Sequence, residues 1–438
     1  MDAILIYAFF LAACGAAASR SSRDMEDDSV PDASTPDSMA TEQEDGGEAD
    51  APQVLPVRDG INERWTIFDD CVLSDLVLAD DKLYALCKGT TNRLLSCPID
   101  QELKTTTCET VVSFDKPYLE EAELEVSPLV HTVLDDRFSV VTFTSVPDNH
   151  PGFYVVDRSN QTVTDAIAFE TLGVRVGNDV LPLRATLLWG ALRLGDFLLV
   201  AARNQNFEES AESYTVASFL PFTWNGDGTV TSIEDELGQQ QIFTSGWNTT
   251  LFLNGTEANT GRLLNNGYAP GGNPTESYFD AISLDADGNP QVDATQSFSL
   301  GNIPFEPLKH FAFGPDSSSF LLASSPYGSE QAKLYVAGLG LSEGVAIGSD
   351  PIVSAVWYSQ GEDNKAFVTN SGREVFAVAI EDGQPTAVLP SVPVYYGTPT
   401  VSALQNSEAS CILYQGLQLS GSESGITAMQ CGALLGLN

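Results

Sequence analysis

The most constraining feature of this chain is a polar turn that recurs between short apolar segments along most of its length. In each copy a few polar residues, with Asp or Asn among them, separate segments rich in β-branched and aromatic residues. Such turns between strand-forming segments are typical of antiparallel hairpins, so the pattern predicts an all-β chain. The turns are centred at Asp80, Asp135, Asp196, Asn248, Asp316, Asp363 and Asn406, which gives successive spacings of 55, 61, 52, 68, 47 and 43 residues.

Segments beside these turns have the composition expected of β-strands. They are rich in Val, Ile, Leu, Phe and Tyr and are bounded by Asp, Asn, Gly, Ser or Pro. No stretch shows the 3.6-residue apolar period of an amphipathic helix. The predicted strands include Leu76 to Leu78, Lys82 to Cys87, Phe138 to Thr144, Gly152 to Asp157, Phe197 to Ala202, Ser319 to Ala323, Lys333 to Val336, Ala366 to Thr369 and Glu374 to Ile380.

The spacing of the turns predicts a β-propeller. A repeat of about 40 to 50 residues made only of strands matches one four-stranded blade. Seven turns therefore predict seven blades within Val57 to Asn438, with six or eight as the open alternatives. The alternative is a pair of tandem β-sandwiches divided within the Gly- and Asn-rich stretch Asn254 to Pro274, but that stretch lacks the Pro-rich composition of a linker. The WD40 and kelch repeat signatures and the sialidase Asp box are absent from the sequence.

The N-terminal segment has the features of a targeting signal. Ala3 to Ala13 is an unbroken apolar run, shorter than the ~20 residues that a membrane-spanning helix needs. The end of this run and the next residue, Leu11-Ala12-Ala13-Cys14, resemble the lipobox of bacterial lipoproteins, although Met1-Asp2 supplies no basic residue before the apolar run. The resemblance implies cleavage before Cys14 and diacylation of its thiol. With Gly15 next, it also implies sorting to the bacterial outer membrane or cell surface.

Together with the strand repeat behind it, this signal makes the chain resemble the sequence-divergent propeller lipoproteins of bacteria. The competing interpretation is an ordinary secretory signal cut near Ala16 to Ala18, with Cys14 as a spare cysteine. Residues 14–56 are rich in Ala, Ser, Asp, Glu, Pro and Gly and predict a disordered acidic linker that lets the domain stand ~30 to 40 Å from the lipid. The predicted organisation is a signal peptide at 1–13, the lipidated Cys14 and linker at 14–56, and the propeller at 57–438.

The cysteine count agrees with a lipid on Cys14. Seven cysteines would leave one thiol unpaired in an oxidising compartment, and setting Cys14 aside leaves six that can pair. On successive strands of one sheet, Cys71 and Cys108 would be about 14 Å apart, beyond the ~7 Å Cα limit of a disulfide. Pairing of Cys71 with a C-terminal cysteine stays open if the two ends of the chain share a sheet. The favoured pairs are Cys71 with Cys87, Cys97 with Cys108, and Cys411 with Cys431.

Charge limits the partners. The chain has 20 basic and 60 acidic residues and a net charge of −40, so nucleic acid and anionic lipid headgroups are repelled. Any charged partner is expected to be a basic protein, a cationic sugar or a divalent metal. Contact with a membrane is expected through the N-terminal lipid only, and the sequence does not fix the oligomeric state.

Candidate metal sites are weak. Asp285, Asp287 and Asn289 alternate oxygen ligands as a calcium loop does, but Pro290 and Gln296 stand where an EF-hand needs Gly and Glu. A tight hairpin explains the same residues better, as it does for Asn225-Gly226-Asp227-Gly228-Thr229. No cofactor is therefore predicted. The three histidines, His131, His150 and His310, are scattered without Cys or Glu at zinc-ligand spacing.

Two function classes remain. The favoured one is a non-enzymatic binding or scaffold propeller, held on the cell envelope by lipid, that presents its loops to another envelope protein or to polysaccharide. The alternative is a propeller glycan hydrolase or lyase that uses paired Asp or Glu in the central channel. No common hydrolase, nucleotide-binding or zincin motif occurs, and no catalytic residue is predicted. Residues that could stack on sugars, but fit core packing better, are Trp189, Trp247, Trp357 and Tyr395-Tyr396.

Overall fold

The computed structural model describes residues 64–430 apart from connecting segments, of which the longest are 99–107, 115–124, 234–242, 267–276 and 307–318. Residues 1–63 and 431–438 lie outside the described residues. The described chain contains strands but no helix, and accordingly no helix there could cross a membrane. The strands form seven antiparallel sheets that follow one another along the sequence, and each sheet is one blade.

The first three blades occupy the N-terminal half of the ring. Blade 1 contains β2 (Val72–Ala79), β3 (Lys82–Lys88), β4 (Arg93–Pro98) and β5 (Glu109–Ser113). Blade 2 contains β6 (Glu125–Val133), β7 (Phe138–Val146), β8 (Pro151–Asp157) and β9 (Thr162–Ala168). Blade 3 contains β10 (Leu172–Val176), β11 (Asp179–Leu194), β12 (Phe197–Asn206), β13 (Thr215–Trp224), β14 (Val230–Ser232) and β15 (Phe243–Trp247).

The remaining blades follow in the same order. Blade 4 contains β16 (Thr250–Glu257), β17 (Thr260–Asn266), β18 (Ser277–Leu284) and β19 (Pro290–Gly301). Blade 5 contains β20 (Phe305–Glu306), β21 (Phe320–Ser324), β22 (Ala332–Ala337) and β23 (Val345–Gly348). Blade 6 contains β24 (Ile352–Gln360), β25 (Asp363–Asn370), β26 (Glu374–Glu381), β27 (Gln384–Val388) and β28 (Val392–Pro393). Blade 7 contains β29 (Val401–Gln405), β30 (Ser410–Gln418), β31 (Ser424–Gln430) and, from the other end of the chain, β1 (Arg64–Phe68).

The N-terminal strand closes the ring. β1 pairs antiparallel with β31 across five residues, so the two ends of the described chain share blade 7. Strands of neighbouring blades also contact one another, and each is the first of its blade except β11, the second strand of blade 3: β2 meets β6, β6 meets β11, β11 meets β16, β24 meets β29, and β29 meets β2. These strands surround the central axis. The fold is therefore a seven-bladed β-propeller, as predicted, and the alternative of tandem sandwiches is wrong because 254–274 lies inside blade 4.

Five of the seven predicted turns join the first and second strands of a blade, and Asp196 joins β11 to β12, the second and third strands of blade 3. Asn248 is the exception, because it lies between β15 and β16 and so connects blade 3 to blade 4. The corresponding hairpin of blade 4 joins Glu257 to Thr260 instead. The side of the ring that carries these hairpins is called the turn side below, and the opposite side the loop side.

The core lies between blades. One apolar cluster joins blades 1 and 2, a second joins blades 2 and 3, and a third joins blades 5 and 6. Both faces of a blade are covered by its neighbours, which is why β8 is buried at every position and β21 likewise. Strands covered on both faces read as continuous apolar runs rather than as an alternating pattern.

Two predicted disulfides are confirmed, and both lie in blade 1. Cys71 bonds Cys87 with Cα atoms 5.0 Å apart, and Cys97 bonds Cys108 at 4.2 Å. Cys71 thus pairs within its own blade even though the chain ends share a sheet. The third predicted pair stays a prediction, because Cys431 lies outside the described residues; its neighbour Gln430 is opposite Cys411 in the ladder between β30 and β31.

Candidate functional site

The central channel is the natural place for a catalytic site in this ring, and its described wall is poor in acids. On β2, β6 and β24 the half-buried residues are apolar or carry a hydroxyl group, and none of those described is Asp or Glu. On β11 the half-buried residue within the described part is Arg193. The half-buried residues of β2, β6 and β24 are Val72, Ser74, Val77, Ala79, Val130, Thr132, Val133, Val353, Val356 and Trp357.

Asp75 is a fully buried acid on β2, and it joins blade 1 to blade 2. Its Oδ2 accepts a hydrogen bond from the backbone N–H of His131 on β6 at 2.8 Å. Its Oδ1 accepts one from the N–H of Leu76 at 2.9 Å. The carboxylate therefore bonds to backbone donors rather than standing open to a substrate. The signal for it in the sequence is an acid inside the mostly apolar strand VLSDLVLA.

His131 is buried beside this carboxylate, in an aromatic setting. Its ring centroid is 5.5 Å from that of Tyr84 on β3, and the guanidinium of Arg158 lies 5.0 Å from the centroid of the same Tyr84 ring. Arg158 also donates a hydrogen bond to the backbone carbonyl of Asp135. His131 thus belongs to the contact between blades 1 and 2. The other two histidines, His150 and His310, lie outside the described residues.

On the turn side of blade 2, Arg137 and Asp157 form an ion pair. The Arg137 Nε and Nη2 atoms donate to Asp157 Oδ2 at 2.8 and 2.5 Å, and the backbone N–H of Asn160 donates to Asp157 Oδ1 at 2.9 Å. Burial raises the pKa of Asp157, but hydrogen bonds from Arg137 and Asn160 outweigh it, so the pKa lies below its ordinary value. The same hydrogen bond to Asp157 raises the pKa of Arg137. A carboxyl group held ionised in this way is unsuited to act as a general acid.

Polar bonds also join blade 2 to blade 3. The Arg193 guanidinium of β11 donates to Asp135 Oδ2 at 2.6 Å. The Thr164 hydroxyl of β9 donates to the carbonyl of Gly228 at 2.8 Å, and Asp165 Oδ2 accepts from the N–H of Val230 at 2.8 Å. These hydrogen bonds hold blade 2 and blade 3 together.

The proposed calcium loop forms a hairpin. Asp285 Oδ1 accepts hydrogen bonds from the N–H groups of Asp287 at 2.9 Å and Asn289 at 2.8 Å, and Leu284 lies opposite Pro290 in the ladder. The hairpin predicted at 225–229 is also present and joins β13 to β14. No group of three His, Cys, Asp or Glu residues suited to hold a metal occurs within the described part of the chain.

Among the aromatic residues considered for sugar stacking, Trp357 is the one whose side chain the structure describes. Trp357 is half-buried and packs against the core between blades 5 and 6. Trp189 lies on β11 and Trp247 on β15, in two different parts of blade 3. Tyr395-Tyr396 lies outside the described residues.

Comparisons with known proteins show no family for this chain. No protein-family model and no curated protein matches it. The chain is similar to the β-propeller domain of the trilobed protease from Pyrococcus furiosus, at 11% identity and a TM-score of 0.42, covering 82% of this chain and 95% of that one. It is also similar to the Dos1 propeller, at 9% identity and 0.45, covering 83% and 78%. The polysaccharide lyase Uly1 matches at 8% identity and 0.45, covering 82% and 89%. All three TM-scores lie below 0.5, so these likenesses assign no function to this chain.

Proposed function

We propose that the protein is a lipid-anchored cell-envelope protein whose propeller binds another envelope protein or a polysaccharide without cleaving it. The observation that carries the non-enzymatic part is the channel wall. Glycosidases set two carboxyl groups ~5 to 9.5 Å apart in one pocket. In the described part of the first strands, the half-buried residues include no carboxylate, and the buried Asp75 is bonded to backbone N–H groups.

Three described acids of blade 2 support the same conclusion. Asp135 and Asp157 pair with arginines, and Asp165 accepts a backbone hydrogen bond from the next blade. A hydrolase needs one carboxyl group whose pKa is raised so that it can donate a proton. The pKa of Asp157 is lowered instead.

The anchoring part of the proposal rests on the sequence. Cys14 follows Leu11-Ala12-Ala13, and acylation would hold the chain on a membrane without a spanning helix. The two disulfides of blade 1 fit an oxidising compartment outside the cytoplasm. We place the protein at the bacterial outer membrane or cell surface, with residues 14–56 as the arm between lipid and propeller.

The test is a search for product. The full-length protein, purified in detergent, is incubated with a panel of neutral, acidic and amino polysaccharides, and new reducing ends and unsaturated sugar products are measured. We expect retention of a polymer or of an envelope protein without either product. Formation of product by the wild type, and its loss when one carboxylate is replaced, would show that the propeller is an enzyme and overturn the proposal.

A further inference from the structure

The hairpin between β13 and β14 contains an Asn-Gly pair in an open turn. The Asn225 N–H donates to the carbonyl of Thr229 at 2.9 Å, and the Gly228 N–H donates to the carbonyl of Asn225 at 3.0 Å. Gly226 is exposed, and its N–H has no acceptor among the described residues. A Cβ placed on Gly226 would meet no atom within 4 Å. The backbone nitrogen that follows the Asn225 side chain is therefore unhindered and open to solvent.

Thr229 restrains the side-chain amide of Asn225. The Asn225 Nδ2 donates to Thr229 Oγ1 at 3.0 Å, and the Thr229 hydroxyl in turn donates to Asp227 Oδ1 at 2.7 Å. The backbone N–H of Thr229 also donates to Asp227 Oδ1, at 3.0 Å. Loss of the Thr229 hydroxyl would leave the amide free to rotate toward the nitrogen of Gly226.

The second pair of this kind in the turn, Asp227-Gly228, is arranged differently. The Gly228 N–H is already engaged, because it donates to the Asn225 carbonyl. Hydrogen bonds from the N–H and the hydroxyl of Thr229 lower the pKa of Asp227, which keeps the carboxylate ionised. An ionised carboxylate resists attack by a nucleophile, whereas a neutral amide does not. Asn225-Gly226 is thus the reactive pair of the turn.

We propose that Asn225 deamidates spontaneously and that this change loosens the contact between blades 2 and 3. The Gly226 nitrogen loses its proton to hydroxide and attacks Cγ of Asn225. A five-membered succinimide ring forms, the bond from Cγ to Nδ2 breaks, and ammonia leaves. Water then opens the ring at either carbonyl to give aspartate or isoaspartate. Glycine hinders the attack least because it has no Cβ. The reaction needs neither the lipid anchor nor a ligand, and so it goes beyond the proposed function.

The consequence follows from what the turn contacts. The Thr164 hydroxyl of blade 2 donates to the Gly228 carbonyl at 2.8 Å, and Asp165 Oδ2 accepts from the N–H of Val230 at 2.8 Å. Isoaspartate inserts one methylene into the backbone of a turn that two backbone hydrogen bonds close. Either product also replaces the amide donor with a negative charge. Both changes displace the groups that bond to blade 2.

The experiment is peptide mapping by mass spectrometry of the full-length protein in detergent, after incubation at mildly acidic and at mildly alkaline pH. We expect aspartate and isoaspartate at Asn225, and more of both at alkaline pH because the attacking nitrogen must lose a proton. G226A should convert at least about tenfold more slowly, and its Cβ has open space in the fold. T229V should convert about two- to tenfold faster, whereas the matched control T229S keeps the hydroxyl and should stay within about twofold of the wild type.

The same samples report the effect on stability. Incubation at alkaline pH should lower the urea midpoint of the wild type and leave that of G226A unchanged. The map also covers Asn254-Gly255, which is paired in the ladder between β16 and β17 and should convert more slowly than Asn225.

Four results would overturn the proposal. They are an intact Asn225 in the folded protein while the urea-unfolded protein converts, conversion of folded G226A as fast as the wild type, equal rates in T229V and T229S, and an unchanged urea midpoint in wild type that has converted. None of these results bears on the lipid anchor or on polymer binding, which the product search and the N-terminal analysis test separately.

Discussion

Replacement of Asp75 by Ala tests whether a buried carboxylate holds blades 1 and 2 together. In D75A the backbone N–H groups of His131 and Leu76 lose the acceptors that now lie at 2.8 and 2.9 Å. A buried donor left without its acceptor costs about 1 to 3 kcal/mol, so two cost about 2 to 6 kcal/mol. Release of the carboxylate from its buried site offsets part of this, and we expect a net loss of about 3 kcal/mol. D75N keeps one carbonyl oxygen and should lose about half as much.

The assay is urea denaturation followed by tryptophan fluorescence and by far-UV circular dichroism, with coincident transitions required before free energies are compared. Asp136→Ala, at an exposed residue of the blade 2 turn, is the matched control and should change stability by less than about 0.5 kcal/mol. If D75A also stays within about 0.5 kcal/mol of the wild type, the carboxylate does not hold the blades together and the reasoning is wrong.

Three further predictions concern single features of the fold. Gly228 and Gly288 both have positive φ in Asp-Gly turns, but a Cβ at Gly228 would meet the Phe138 ring at 2.4 Å and one at Gly288 would meet nothing within 4 Å. G288A should therefore lower the free energy of unfolding by about 1 kcal/mol and G228A by about 1 to 3 kcal/mol more, measured by thermal or urea denaturation. Equal losses would contradict the packing of blade 3 on blade 2. The Cys71–Cys87 disulfide closes a loop with a sequence separation of 16, so the variant C71S/C87S should be about 3 kcal/mol less stable than the wild type in urea without reductant. Reduction should lower the stability of this variant less than that of the wild type. Because the pKa of Asp157 is lowered in the folded state, the stabilisation by its carboxylate is complete above the unfolded-state pKa of ~3.9 and is lost as the pH falls through the folded-state pKa. D157N should therefore be less stable than the wild type at pH 7 and should lose less stability on acidification. Parallel curves of unfolding free energy against pH for the two proteins would contradict this assignment.

The architecture was predictable because its main signal is local. Each hairpin needs a polar turn between two apolar strands, and six of the seven turns from Asp80 to Asn406 mark a hairpin within a blade. The prediction for Asn248 was wrong because a polar turn that connects two blades has the same sequence pattern as one that connects two strands of a blade. Closure by β1 was not predictable from Arg64–Phe68, since its partner β31 lies at the other end of the chain and the pairing depends on register rather than on composition.

The candidate sites show the same limit. The two blade 1 disulfides followed from short loops between neighbouring strands, which sequence spacing can capture. Asp75 bonds to the backbone of His131, a residue 56 positions away on another blade. Nothing in the strand sequence VLSDLVLA indicates that partner, so only the fold reveals what the carboxylate contacts.

The measurement that tests the central claim most directly is mass spectrometry of the mature N-terminus, on membrane and soluble fractions of the wild type and of Cys14→Ser. The account predicts that the wild type is in the membrane fraction and that its first residue is a diacylated Cys14. The Ser variant should leave that fraction while its propeller keeps both blade 1 disulfides. A wild-type protein that is soluble, with an unmodified thiol at Cys14 or a cleavage site beyond it, would contradict the claim of a lipid-anchored envelope propeller.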